Sequence, residues 1–288
     1  MAAGAPTPAS RRFKRVNRHG PLAVTIARMT QHLFILTGAS RGMGLAMARQ
    51  LLQPGNTVIC MARHEQPALA TASPAGAVLE QWTVDLSHAA QAAQQLQSWL
   101  ATQPADRYAS ATLINNAGVI PRIAPLSACT SAEDMTDLAN ALRVGLEAPM
   151  LLTAAFLGAT EGWSTSVRPV ARKVLNISSG LGRRALASQA GYCAAKAGMD
   201  HFTRCVALDE AAKPHGAKVC SLAPGVIDTD MQVQLRGANP ADFPDVQNFA
   251  ALKTGGMLTS PAAAATRVLA WLQRADFGTN PVADVRDA

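Results

Sequence analysis

Acidic residues are missing from the start of this chain. Residues 1–64 contain no Asp or Glu, although nine Lys and Arg fall there. Cysteine is sparse and unpatterned: Cys60, Cys129, Cys193, Cys205 and Cys220 form an odd count with no CxxC pair or His cluster. Neither a disulfide framework nor a zinc site is indicated, and the expected setting is reducing and cytoplasmic, with no bound metal. Long hydrophobic runs are absent too. The longest mostly apolar stretch, Ala148 to Ala159, contains Pro149 and Thr153 and is too short to span a bilayer, so no membrane partner is expected.

The formal net charge of +7 invites a nucleic-acid reading, but its location argues against one. Arg11, Arg12, Lys14, Arg15, Arg18 and Arg28 lie ahead of the first expected strand, and residues 29–288 carry 20 basic against 19 acidic residues. A polyanion-binding face needs cations spread over a folded surface with polar or aromatic readers among them. Residues 1–28, rich in Ala, Pro and Arg, read as a disordered tail or an upstream extension. The competing reading as a transit peptide meets Pro6, Pro8, Gly20 and Pro21, which interrupt any amphipathic helix.

With 49% hydrophobic residues, the remaining chain can bury a large core. Short aliphatic and β-branched runs alternate with longer Ala-rich helical patterns, as in βαβ units on a parallel sheet. Strands are expected at His32–Thr37, Thr57–Met61, Val78–Val84, Ala111–Asn115, Lys173–Ile177, Lys218–Leu222 and Val282–Val285. Helices are expected at Gly42–Gln53, Ala89–Ala101, Glu133–Ala159, Ala190–Ala212 and Pro261–Arg274. No linker divides the pattern, so residues 29–288 read as one α/β domain: a Rossmann-type, doubly wound sheet of about seven strands with helices on both faces.

The first strand runs into Thr37-Gly38-Ala39-Ser40-Arg41-Gly42-Met43-Gly44 and then a helix. A tight turn, close backbone approach to a pyrophosphate and a helix N-terminus are the requirements of a dinucleotide site. From here the chain resembles the short-chain dehydrogenase/reductase family, whose fingerprint TGxxxGxG places Gly38, Gly42 and Gly44 on its three glycines. The resemblance continues in order through Asp85, Asn115-Asn116-Ala117-Gly118, Ser178-Ser179, Tyr192-Cys193-Ala194-Ala195-Lys196 and Pro224-Gly225 to Thr229, covering roughly residues 30–285. It implies hydride transfer between a nicotinamide and a carbonyl or alcohol carbon. Ser179 would bind the substrate oxygen, Tyr192 would deliver the proton, and Lys196 would hold the ribose.

Tyr192 and Lys196 are four residues apart and so share one helical face, where an ammonium favours the ionised phenol. The resemblance also implies cofactor contacts from Gly38, Ser40, Arg41, Gly42, Met43, Gly44, Arg63, Asp85, Asn115, Ala117, Gly118, Tyr192, Lys196, Pro224, Gly225 and Thr229. Asp85 reads equally as the N-cap of the element that follows it. The second strand ends Met61-Ala62-Arg63 with no acid, and with Arg41 this favours the 2′-phosphate of NADP(H) over the free ribose of NAD. One position departs from the family: Gly145 stands where an asparagine usually supports a proton relay, and Asn140 is the nearest asparagine.

Within the family, the stretch Ala223–Gln232 is similar to the sepiapterin reductase and benzil reductase subgroup. Asp284 falls near the place of an aspartate that anchors a pterin there, although it also reads as an ordinary strand residue. Residues Asp228–Ser260 lack strong periodicity and read as a lid over the substrate. The expectation is an NADPH-dependent reductase of a ketone, diketone or pterin-type carbonyl, acting as a homodimer or homotetramer. Gly145 keeps open the alternative of a regulatory protein that senses NADP(H) with little turnover.

Overall fold

Leu33, Phe34, Ile35 and Leu36 are all buried, with no polar residue alternating among them, because both sides of this strand are covered. Leu33 and Ile35 belong to one hydrophobic cluster and Phe34 and Leu36 to another, as the two-residue period of a strand requires. The computed structural model describes Met1, residues 31–165 and residues 167–287. The tail expected over residues 1–28 therefore lies outside the described residues, apart from Met1.

Seven strands form the sheet: β1 (Gln31–Thr37), β2 (Asn56–Ala62), β3 (Val78–Thr83), β4 (Tyr108–Asn115), β5 (Ala171–Ile177), β6 (Lys218–Ala223) and β7 (Val282–Asp284). Their spatial order is β3-β2-β1-β4-β5-β6-β7, and every pairing is parallel. This is the doubly wound sheet expected from the sequence. The order reverses direction between β1 and β4, and such a switch point opens a crevice at the carboxyl ends of the strands.

The helices among the described residues are α1 (Gly42–Leu51), α2 (Pro67–Ala72), α3 (Ala89–Ala101), α4 (Ala132–Leu142), α5 (Ala148–Thr160), α6 (Ala190–Ala211), α7 (Asp230–Arg236), α8 (Val246–Thr254) and α9 (Pro261–Gln273). Helices α3 and α5 cover one face through Leu96, Leu100, Leu152 and Phe156. Helices α1 and α9 cover the other through Met47, Leu51, Val268 and Leu272. The stretch Ala132–Trp163 is long and apolar enough to cross a membrane by length and composition. It exceeds the run Ala148–Ala159 because α4 and α5 join end to end. Its Leu152, Ala155 and Phe156 nonetheless lie in the core of the first face.

That join corrects one expectation. The single helix expected over Glu133–Ala159 is split by a π-helical turn at Arg143–Glu147, closed by the Ala148 N–H on the carbonyl of Arg143. Gly145 sits in this turn, and a Cβ there would lie 3.2 Å from the Cβ of Ala195 on α6. The missing side chain lets α6, which carries Tyr192 and Lys196, pack against the turn. The expected lid also differs from the sequence reading: it is ordered as α7 and α8 and tied back by a bridge between Ile227 and Thr259. Both helices are short and of mixed polarity, which hid their period. The Gly145 contact predicts that Gly145→Asn lowers stability by about 1–3 kcal/mol through overpacking against Ala195, to be measured by urea unfolding.

Candidate active site

The turn after β1 is built by backbone contact. Gly38 and Gly42 have φ of +69° and +54°, a region that L side chains rarely adopt. Gly44 meets a harder constraint: a Cβ there would lie 2.1 Å from the carbonyl oxygen of Gly38. The Thr37 hydroxyl accepts from the backbone N–H groups of Asn116 (2.9 Å) and Ala117 (3.0 Å), and the Asn116 amide donates back to the carbonyl of Thr37 at 3.0 Å. The exits of β1 and β4 are thereby locked together. Helix α1 starts here with neither a side-chain cap nor an acid in its first turn, so its N-terminal N–H groups remain available to an anion.

These segments border a cavity of about 1090 Å³. Every residue expected at the site lines it except Asn115. Asn115 is fully buried in the sheet, where its amide donates to Asn176 Oδ1 (2.8 Å) and Thr153 Oγ1 (3.2 Å). The side chain of Asn115 thus braces β4 against β5 and α5, and the cavity contact passes to Asn116, which the sequence reading left out. The signal for it was available: successive residues at a strand end face opposite ways. Ser178 and Gln232 were also missed. Each is more than nine-tenths buried, lines the cavity and carries an oxygen with no hydrogen-bond partner in the protein.

Ser179, Tyr192 and Lys196 come together at this cavity. Ser179 caps the turn Gly180–Gly182, its hydroxyl oxygen accepting from the Leu181 N–H at 3.1 Å. Lys196 Nζ donates to the carbonyl of Ile177 at 2.7 Å and lies 5.7 Å from the centre of the Tyr192 ring. Burial pushes the Tyr192 phenol up to about 12, opposed by hydrogen bonding with Ser179. Burial also pulls the Lys196 ammonium down to about 8, opposed by the charge of Asp200. The expectation that Lys196 draws the phenol toward neutrality is therefore corrected: withdrawal from water dominates, and the ammonium is held on a backbone carbonyl.

Two charged residues, Arg41 and Asp284, have partners that the sequence did not reveal, and a third, Asp85, makes the cap that it offered. Arg41 pairs with Asp230 of α7 at 2.7 Å, both side chains being well exposed. Asp85 accepts from the Ser87 N–H at 2.9 Å, which lowers its pKa, so its capping role is realised at a position that also lines the cavity. Asp284 lines the cavity with its carboxylate held in a two-pronged contact by Arg286. Beside Tyr192, the residues Ile120, Leu235, Phe243 and Val246 form a third buried apolar cluster, the last three contributed by the segment Asp228–Ser260.

The profile of the short chain dehydrogenase family matches residues 32–240. The chain belongs to this short-chain dehydrogenase family. Among characterised members, it is 34% identical over 250 residues to a benzil reductase, (S)-benzoin forming, of Bacillus cereus, covering 84% of this chain and 94% of that protein. It is 30% identical over 262 residues to the sepiapterin reductase of Rattus norvegicus, covering 88% and 95% of the two chains. Among solved structures, a metagenomic short-chain oxidoreductase in complex with NADP superposes with a TM-score of 0.63 at 26% identity, covering 90% of this chain and 96% of that one. The glycine contacts that support this dehydrogenase fold predict that Gly44→Ala costs about 1–3 kcal/mol in stability and abolishes thermal-shift stabilisation by a nicotinamide dinucleotide.

Proposed function

We propose that the protein is an NADPH-dependent carbonyl reductase, with residues 29–288 as its catalytic domain. The observation that carries this reading is the convergence of Ser179, Tyr192 and Lys196 on the cavity whose other end is the glycine turn. The turn suits a diphosphate: α1 starts hard against it, where a Cβ at Gly44 would collide with the Gly38 carbonyl, and the first-turn N–H groups of α1 have no side-chain cap. Gly38, Gly42, Met43, Ala117, Gly118, Pro224, Gly225 and Thr229 would shape the bed of the cofactor.

A reduced nicotinamide, when bound, would supply the hydride. Ser179, whose oxygen accepts from Leu181, keeps its own proton to donate to the substrate carbonyl. Tyr192 holds its proton throughout the neutral range and delivers it to that oxygen as negative charge develops there. Lys196 keeps a positive charge beside the phenolate left behind. Its bond to the Ile177 carbonyl fixes that position before substrate arrives.

Arg41 and Arg63 line the cavity, and no acid ends β2, which supports NADPH over NADH. The Arg41–Asp230 pair is exposed, and such pairs contribute only about 0–1 kcal/mol. A 2′-phosphate therefore displaces Asp230 at little cost. The apolar cluster beside Tyr192 and the benzil and sepiapterin reductase relatives support a diketone or other activated ketone as substrate.

Purified protein is expected to oxidise NADPH with benzil or sepiapterin, faster than NADH under the same conditions. Tyr192→Phe is expected to lower kcat at least 1000-fold while the Kd for NADPH, read by fluorescence titration, changes less than threefold. Unchanged turnover in that variant overturns the mechanism. The pH dependence has a definite sign as well. Because Lys196 is charged below about 8, kcat/KM for reduction should be level below that pH and fall above it, while a profile flat to pH 10 excludes the role assigned to Lys196.

A further inference from the structure

Two arginines meet on consecutive residues of β7. Arg183 donates through Nε to Asp200 Oδ2 at 3.0 Å and through Nη2 to the carbonyl of Ala283 at 2.8 Å. Arg286 donates through Nε to Asp284 Oδ1 at 2.7 Å and through Nη2 to Oδ2. Behind each guanidinium stands a buried carboxylate: the Asp200 and Asp284 side chains are 2% and 9% exposed, whereas those of Arg183 and Arg286 are 31% and 70% exposed. Asp200 is fixed in turn by the Ser221 hydroxyl at 2.6 Å.

A guanidinium has five N–H groups, and these contacts use two on each arginine. Three remain on each. Both arginines line the same cavity as Ser179 and Tyr192, together with Arg184. The remaining acid at this end, Asp287, accepts from the backbone N–H of Asp284 at 2.9 Å. Leu181, Leu235 and Phe249 supply apolar surface to the cavity. A ligand reaching this end of the cavity therefore meets pre-oriented cationic donors in front of their counter-charges, with an apolar wall beside them. Planar, forked donors of this kind match a carboxylate.

We propose that Arg183 and Arg286 bind a carboxylate carried by the carbonyl substrate, so that the preferred substrates are oxo acids with an aryl or branched apolar group. The inference rests on the reductase reading. The carbonyl carbon takes a hydride from NADPH and its oxygen takes the Tyr192 proton, giving a hydroxy acid and NADP⁺, and solvent returns the proton to Tyr192. Asp284 and Asp200 then act as positioning residues for the two guanidiniums.

The test compares phenylglyoxylate with its methyl ester, which have the same ketone but differ in charge, and uses benzil as a neutral diketone. Wild-type protein is expected to show at least tenfold higher kcat/KM for the acid, with the preference shrinking as salt rises from 0.05 to 0.5 M. Arg286→Gln is expected to reduce the acid-to-ester ratio at least tenfold, chiefly through KM. Arg183→Gln should act in the same direction. It also leaves Asp200 buried without its partner, so if it unfolds, Arg286→Gln and the salt series decide. An ester used as well as the acid, or a ratio unchanged in Arg286→Gln, overturns the proposal. So does a matching loss of NADPH affinity in that variant, which would assign the arginine to the cofactor. If no carbonyl is reduced, calorimetric titration with NADP⁺ present separates the two readings: saturation by phenylglyoxylate but not its ester upholds the anion site while the reductase reading fails, and no preference overturns both.

Discussion

Everything at this site depends on one close approach, in which the start of α1 lies against the turn that leaves β1. The would-be Cβ of Gly44 falls 2.1 Å from the carbonyl of Gly38, and that of Gly38 falls 2.9 Å from the Cα of Ala117. Three backbone segments, the exits of β1 and β4 and the first turn of α1, therefore lie in close contact, with the side chains of Thr37 and Asn116 bonding the two strand exits together. Interiors packed this tightly do not deform continuously. The crevice at the switch point inherits its shape from that contact, and the N–H groups of α1 are aimed by it.

A second layer of support runs beneath Ser179, Tyr192 and Lys196. Asn115, Asn176 and Ser221 are register partners on adjacent strands β4, β5 and β6. Their side chains reach Thr153 on α5 and Thr203 and Asp200 on α6. Three interior strands are thus joined by polar bonds to the helix that carries Tyr192 and Lys196. Buried polar groups are costly unless paired and geometrically specific when paired. The arrangement fixes how α6 sits over the sheet, and Asp200 extends it to Arg183 at the rim of the cavity.

The sheet was legible in the sequence because a doubly covered strand must be apolar on both faces, as Leu33–Leu36 shows. The glycine turn was legible because close backbone contact demands glycine at fixed spacing, and the grouping of Ser179, Tyr192 and Lys196 because the family's motifs recur in order along the chain. What escaped depended on partners distant in the chain. The π-turn at Gly145 arises from contact with Ala195 on another helix. The lid helices α7 and α8 are held by ion pairs of Asp228 with Arg236 and Lys253, and neither shows a strong apolar period. Asn115 and Asn116 are neighbours in sequence, yet the strand pleat sends one into the core and the other to the cavity.

Electrostatics at the two ends of the cavity follow the same rule. Read alone, Asp284 offers a carboxylate to a ligand, and Arg41 offers a cation. In the fold, Arg286 covers Asp284 and Asp230 pairs with Arg41. The two pairings differ in consequence, because burial separates them. The Arg41–Asp230 pair is exposed on both sides, 67% and 70%, so water screens it and an incoming dianion competes readily. At the other end, the acid is buried and the base is not, so the pair presents one sign to the cavity while the other stays behind it. Sequence charge counts weigh both pairs as neutral. A ligand responds to which member of each pair it can reach, and at β7 that member is the arginine.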